Sequence, residues 1–426
     1  MNRLKELEKL GQSIWLDFLS REFLASDEFK RLIAEDGLKG MTSNPSIFEK
    51  AFAHGNAYDD DIRKLAEEGC GVGAIFRKLA VTDIQHAADA FRPTYDQLNG
   101  ADGFISLEVS PHIAKDYEAT VAEAKSLWSE VNRPNLMIKV PATPEGLPAI
   151  RDLLGAGLNI NITLLFSRDV YEQVANAYIS GLEMRPKDED LSRISSVASF
   201  FVSRIDTKVD KAIDEKLKAG AEKSLAELQG KIAVANAKLS YQQYKRIFSG
   251  PRWEALAKRG ARPQRLLWAS TGTKNKAYSD VLYVDSLIGP DTVNTLPQET
   301  LEAFRDHGNP KCTIEKDVGE AEQVLARLQR AGISLDAITA ELVQEGVQLF
   351  ADAADKLYGA LAEKVAKFPG SKLLTVDFRL GEAEDALAGE IKARTTSGDL
   401  RRLWAKDRSL WTGADENKWL GWLDIA

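Results

Sequence analysis

Short apolar runs recur along the chain, each followed by a stretch of helical periodicity. Residues 14–19, 38–42, 104–109, 136–141, 159–166, 194–202 and 265–270 read as strands, with 292–296 a weaker eighth. Between them the apolar spacing is helical: at 27–35, in two helices after Pro45 of which the second spans about 72–95, and at 147–154. Ser110-Pro111 supplies a cap and a first-turn proline for a helix with Ile113, Tyr117, Val121, Ala124 and Trp128 on one face. Residues 334–368 form one long helical pattern, with Leu335, Ile338, Leu342, Leu349, Ala353, Leu357 and Leu361 on a stripe. Pro369-Gly370 ends it. A strand-like run (372–378), a charged helix (382–394) and a tail from 403 follow.

Eight strands alternating with helices predict a parallel sheet closed into a (β/α)8 barrel of the TIM type, class α/β, with a C-terminal helical extension. A doubly wound open sheet is the alternative, but no Gly-rich dinucleotide fingerprint follows any strand. The expected division is a barrel with its long helix over 1–368 and a Trp-rich extension over 369–426.

Within the strands, polar side chains interrupt the apolar rows. Lys139 sits in Leu136-Met137-Ile138-Lys139-Val140-Pro141, Asp17 alternates with Ile14, Leu16 and Phe18 in the first strand, Ser106 and Glu108 interrupt the third, and Asn159, Asn161 and Thr163 the fifth. Side chains alternate across a strand, so with aliphatic rows under helices these polar rows point into the barrel. Taken singly, each has a plainer reading. A strand-end lysine can extend to water, an Asp can cap a loop, and interior amides can bond one another. Four strands sharing the feature favour an active site, since burying an acid, amides and an amine together is costly unless they satisfy one another or a ligand. Burial disfavours the charged ammonium, and a neutral amine attacks carbonyl carbon to give a Schiff base. Asp17 and Glu108 supply two carboxyls for the accompanying proton transfers.

Composition narrows the field. Hydrophobic residues make up 44% and charged residues 28% of 426, as in ordinary globular proteins. A net charge of -8 argues against nucleic acid as the main partner. No apolar run approaches the roughly 20 residues of a membrane span, and residues 1–10 read as an amphipathic helix rather than a secretion signal. Cys70 and Cys312 have no metal-ligand or disulfide spacing, and His54, His86, His112 and His307 are scattered and superficial in expectation. The reading is a cytoplasmic enzyme needing neither metal nor other cofactor. The tail carries Trp404, Trp411, Trp419 and Trp422, and this aromatic area is expected to pack on the barrel, on a second copy, or on another partner.

Four motifs, Thr42-Ser43-Asn44-Pro45-Ser46, Ile138-Lys139-Val140-Pro141-Ala142-Thr143, Asn159 through Ser167, and Ser270-Thr271-Gly272-Thr273-Lys274-Asn275, resemble in order and spacing those of transaldolases. The resemblance covers about residues 10–360. It implies an enzyme of the pentose phosphate pathway that transfers a dihydroxyacetone unit from sedoheptulose 7-phosphate to glyceraldehyde 3-phosphate, giving erythrose 4-phosphate and fructose 6-phosphate. It assigns the Schiff base to Lys139, the base on the C4 hydroxyl to Asp17, and a proton relay to Glu108 through a water held by Thr163. It gives Asn44 and Asn161 to the sugar, Ser199 to the donor's terminal hydroxyl, and Arg204 and Lys274 to the phosphate. Lys274 stands where many shorter transaldolases carry arginine, which keeps the charge but loses the bidentate fork; the surrounding residues resemble a longer bacterial and plant subgroup. The related fructose 6-phosphate aldolases share the lysine strand but carry glutamine and tyrosine where this chain has Glu108 and Phe201. The segments 400–407 and 419–423 resemble, more weakly, the connector of fusions joining transaldolase to glucose-6-phosphate isomerase. Outside this family, two further readings stand: a non-catalytic barrel with a partner-binding tail, and a glycosidase using Asp17 and Glu108.

Overall fold

The computed structural model describes residues 2–53, 55–368, 383–404 and 406–411. Its centre is a closed barrel of eight parallel strands in sequence order: β1 (Gln12–Leu16), β2 (Leu38–Thr42), β3 (Phe104–Glu108), β4 (Leu136–Pro141), β5 (Ile160–Leu165), β6 (Ser196–Phe201), β7 (Arg265–Ala269) and β8 (Thr292–Leu296). All eight predicted strands exist. β1 begins and ends earlier than its apolar run, so Asp17 lies just past the strand, tied by its N–H to the Leu296 carbonyl at 2.8 Å. Three helices rather than two follow β2: Pro45–Ala53, Asp59–Glu67 and Val72–Gln97.

Local chemistry explains where the elements stop. β4 is buried at all six positions, rich in β-branched and aliphatic side chains, and ends at a proline with no N–H for the ladder. Ser167 caps Arg168–Glu183 through the N–H groups of Asp169 and Val170, and Asp116 caps Tyr117–Val131 through that of Ala119. The aliphatic residues of the strands are buried in one apolar cluster with those of the surrounding helices. At the N-terminal end of the barrel, Trp15 donates to Asp102, which also pairs with Arg265 at 2.9 Å.

The long helix Leu335–Ala366 packs against Pro45–Ala53, Val72–Gln97, Ser203–Lys218 and β5, which lays it across the C-terminal mouth of the barrel. Its buried stripe runs through Leu342, Gly346, Phe350, Ala354, Leu357, Leu361 and Val365. The predicted stripe is off by one residue in its middle: Leu349 is 53% exposed, whereas Phe350 is turned in. Gly346 is the reason the helix can come so close. A Cβ there would meet Leu164 Cδ2 at 2.7 Å.

Beyond the barrel, Glu384–Ser397 is helical, close to the predicted charged helix. The strand-like run 372–378, Trp419 and Trp422 lie outside the described residues. Trp404 and Trp411 are about half exposed. No helix among the described residues is long and apolar enough to cross a membrane.

Candidate active site

Lys139 is 5% exposed, inside the barrel near its C-terminal end. Its Nζ donates to the Ser43 carbonyl at 3.2 Å and lies 3.5 Å from Glu108 Oε2. The pairing follows from register, because Glu108 stands directly beside Lys139 on the neighbouring strand. The Phe350 ring, 5.8 Å from Nζ, shields the amine from above. The polar company of the Lys139 amine among the described residues is thus one carboxyl and one carbonyl.

Burial pushes the Glu108 carboxyl up to about 7; Lys139 opposes the shift and Asp17 adds to it. A carboxyl poised there can both give and take a proton at neutral pH. Glu108 Oε2 and Thr163 Oγ1 are buried and accept or donate no hydrogen bond among the described residues. Buried polar atoms are rarely left so unless something polar reaches them during function.

Asn161 stands beside Lys139 on β5 and joins three strands, donating to Ser106 Oγ at 2.9 Å and accepting from Ser199 Oγ at 2.7 Å. Next to Thr163 the register with β6 shifts, and Leu164 adopts φ 59°. A leucine in the left-handed region is strained by about 1 to 3 kcal/mol. The irregularity resets which way the strand's side chains aim at this point, as bulges beside active sites do.

Above these residues lies a cavity of about 200 Å³ lined by Asp17, Thr42, Asn44, Lys139, Ser199, Phe201, Arg204, Ser270, Lys274, Thr295 and Phe350, among others. Asp17 accepts from Thr42 Oγ1 at 2.7 Å, and Thr42 is in turn 2.8 Å from Thr295 Oγ1. Asn44 spends its side-chain oxygen on the Ile47 N–H, leaving its amide hydrogens for a ligand. Arg204 follows β6, its guanidinium 5.3 Å from the Phe201 ring and 6.0 Å from that of Phe350, and its pKa is lowered by burial. Lys274 reaches the rim from the loop after β7 and is exposed.

The predicted residues therefore converge, with two refinements. Asn161 and Thr163 are not among the cavity's lining residues, and Asn161 is occupied by two serines. Glu108 opens toward a second, mostly apolar cavity of about 330 Å³, with Asn44 common to both. Sequence reasoning missed Phe350, Thr42 and Thr295. Thr42 stood inside a quoted motif, but Phe350 lies 55 residues beyond Thr295, the nearest cavity residue on a strand, and only its helix's packing brings it here. The described histidines stay peripheral: His86 is exposed, and His112 and His307 pair with Asp355 and Asp280.

Residues 14–361 match the family model described as transaldolase/fructose-6-phosphate aldolase. The chain is 48% identical to a transaldolase of Trichodesmium erythraeum over 373 residues, covering 86% of this chain and 98% of that one. It is 49% identical to a transaldolase of Thiobacillus denitrificans over 351 residues, covering 82% and 97%. A relative from Thermobifida fusca, also named transaldolase, is 47% identical over 365 residues, covering 85% and 98%. With a family match across most of its length and a barrel that gathers a buried lysine and two carboxyls at one mouth, the chain belongs to the transaldolase/fructose-6-phosphate aldolase family.

Proposed function

We propose that Lys139 is the nucleophile of a transaldolase reaction, in which a dihydroxyacetone unit passes from sedoheptulose 7-phosphate to glyceraldehyde 3-phosphate. The observation that carries this assignment is the amine held at 5% exposure, 3.5 Å from a carboxyl raised to about 7. The Lys139 amine adds to the C2 carbonyl of the donor, giving a carbinolamine. Glu108, through a water held with Thr163, protonates the departing hydroxyl, and the iminium forms. Asp17 takes the proton from the C4 hydroxyl, the C3–C4 bond breaks, and its electron pair moves into the enamine while erythrose 4-phosphate leaves. The enamine then attacks the aldehyde carbon of glyceraldehyde 3-phosphate, Asp17 returns its proton to the aldehyde oxygen, and addition of water to the new imine frees fructose 6-phosphate and Lys139.

Asn44 holds the sugar by its free amide hydrogens and Ser199 the donor's terminal hydroxyl. Asn161 acts mainly by fixing Ser199, to which its oxygen is bonded. Arg204 and Lys274 hold the phosphate, with Phe201 and Phe350 walling the guanidinium. Glu108 and Phe201 favour transfer over acceptor-free aldol cleavage by the resemblance. The residues in these roles bring the chemistry about without a metal or organic cofactor. Two free cysteines fit a reducing, cytoplasmic setting. The barrel with its long helix over 1–368 acts as the catalytic unit, and the extension serves contacts with the barrel, a second copy or another partner.

The test is borohydride reduction in the presence of fructose 6-phosphate, followed by intact mass. The parent gains a three-carbon adduct and Lys139→Met gains none. A coupled assay with erythrose 4-phosphate as acceptor should far outrun acceptor-free cleavage. An adduct on another residue, or activity surviving Lys139→Met, would refute the assignment and revive the glycosidase reading.

A further inference from the structure

Arg204 and Lys274 come from different parts of the chain, and something must fix their separation. Arg204 lies in the first turn of the helix Ser203–Lys218, and Lys274 in the loop between β7 and the helix Leu282–Ser286. The loop, with the short helix that ends it, is fastened to Ser203–Lys218 at three places. At its start, the Ser203 N–H donates to the Ser270 carbonyl at 3.1 Å, and the two hydroxyls are 2.9 Å apart. Further on, Tyr278 OH donates to Asp210 at 2.7 Å, and Tyr283 OH donates to Asp206 at 3.0 Å.

Both carboxylates are themselves held. The second oxygen of Asp210 accepts from the Gly230 N–H at 3.1 Å, and that of Asp206 from the Ala233 N–H at 2.7 Å. Gly230 has φ +70°, and a Cβ there would meet Tyr278 Cζ at 2.8 Å, so the tyrosine ring lies flush on the glycine. On either side of Lys274, Thr273 Oγ1 donates to the Ser279 carbonyl at 2.8 Å and the Ala277 N–H to the Asn275 side chain at 2.9 Å. The lysine thus rides on a braced loop whose far end is pinned by two hydroxyls. A lysine is a point charge on a flexible stem, without the fork by which an arginine would orient itself on a phosphate. Its placement must come from the backbone.

We propose that Tyr278 and Tyr283 are positioning residues that set the spacing of the Lys274 and Arg204 cations and thereby the enzyme's preference for phosphorylated sugars. The proposal rests on the reading of those cations as the phosphate site. Neither tyrosine touches substrate in this scheme. Each acts through the loop.

The experiment compares Tyr278→Phe, Tyr283→Phe and the double variant with the parent, using fructose 6-phosphate and unphosphorylated fructose as donors to erythrose 4-phosphate. Each single loss should raise KM for fructose 6-phosphate roughly fivefold, the worth of about one hydrogen bond. The kcat should hold, and kcat/KM for fructose should not move. In a Lys274→Met background, Tyr278→Phe should have no further effect on KM. Each single variant loses one hydroxyl only, so if Tyr278→Phe fails to fold, Tyr283→Phe carries the same test. Equal losses for both donors would reveal a general structural role and overturn the proposal. An unchanged KM in the tyrosine variants, with Lys274→Met raising it, would overturn the clamp and leave the phosphate site standing. If Lys274→Met and Arg204→Met both keep the parent's preference for the phosphorylated donor, the phosphate site itself falls and the clamp with it.

Discussion

Replacing Glu108 by Gln keeps the shape of the side chain and removes its proton chemistry, which makes it the sharpest probe of the mechanism. Burial raises the parent carboxyl to about 7. With that value roughly nine-tenths of the enzyme carries the acid form at pH 6 and about one-tenth at pH 8. Dehydration of the carbinolamine needs the acid form, so the rate of borohydride-trappable imine formation should fall about tenfold across that interval. Glu108→Gln should be flat over the same range and slower at pH 6 by roughly 10² to 10⁴, the ordinary worth of a positioned acid. Substrate binding should persist, because Glu108 is not among the residues lining the sugar cavity. The variant also breaks the ion pair with Lys139, which frees the amine to approach the carbonyl and would not slow the attack. A slower variant therefore isolates proton transfer from the ion pair. The assay is single-turnover trapping with fructose 6-phosphate at several pH values, read by mass. A variant as fast as the parent, or one that keeps the parent's pH limb, would remove Glu108 from the mechanism.

Two further predictions concern the frame around the site. Gly346→Ala gains up to about 1 kcal/mol of helix propensity. It also drives a methyl to 2.7 Å from a leucine that is fully buried and already in a strained conformation, at about 1 to 3 kcal/mol. The clash should win, lowering Tm in a thermal melt and lowering kcat through Leu164's neighbour Thr163; unchanged Tm and kcat would show that the helix can lift away freely. Asp206 is 1% exposed and burial raises it from 3.8 to about 7, so the folded state binds its proton more tightly than the unfolded chain does. That contribution to stability is present below the unfolded value and lost as pH rises through about 7. Asp206→Asn should therefore gain on the parent by about 2 to 3 kcal/mol between pH 5 and pH 8 in urea titrations. Parallel pH profiles would refute the assignment of a raised carboxyl.

The barrel was legible because a parallel strand covered on both sides writes a short apolar run that no loop needs, and because a polar residue in such a run has to be explained. Lys139, Glu108 and Asn161 announced themselves in that way, and strand register then fixed which of them touch. Asp17 was found for a partly mistaken reason, since it lies past the end of its strand and not within it. What the pattern could not carry was the long helix's contribution. A helix with apolar residues on most of its faces offers several stripes of nearly equal merit, and Leu349 and Phe350 differ by one step of about 100°. The choice was made by Gly346 against Leu164, a contact between residues 182 positions apart that no local period encodes.

That contact also ties the parts together physically. The kink at Leu164 costs energy, and a conformation of that kind persists only where its surroundings leave no alternative. The helix Leu335–Ala366 supplies the constraint by setting its glycine on the leucine, and four residues along, one turn further, it lowers Phe350 over Lys139 and Arg204. One rigid element thus holds the strand that presents Thr163 and dries the space around the amine. The interior of the barrel brings Lys139 beside Glu108, and the helix across its mouth lays an apolar ring over the amine.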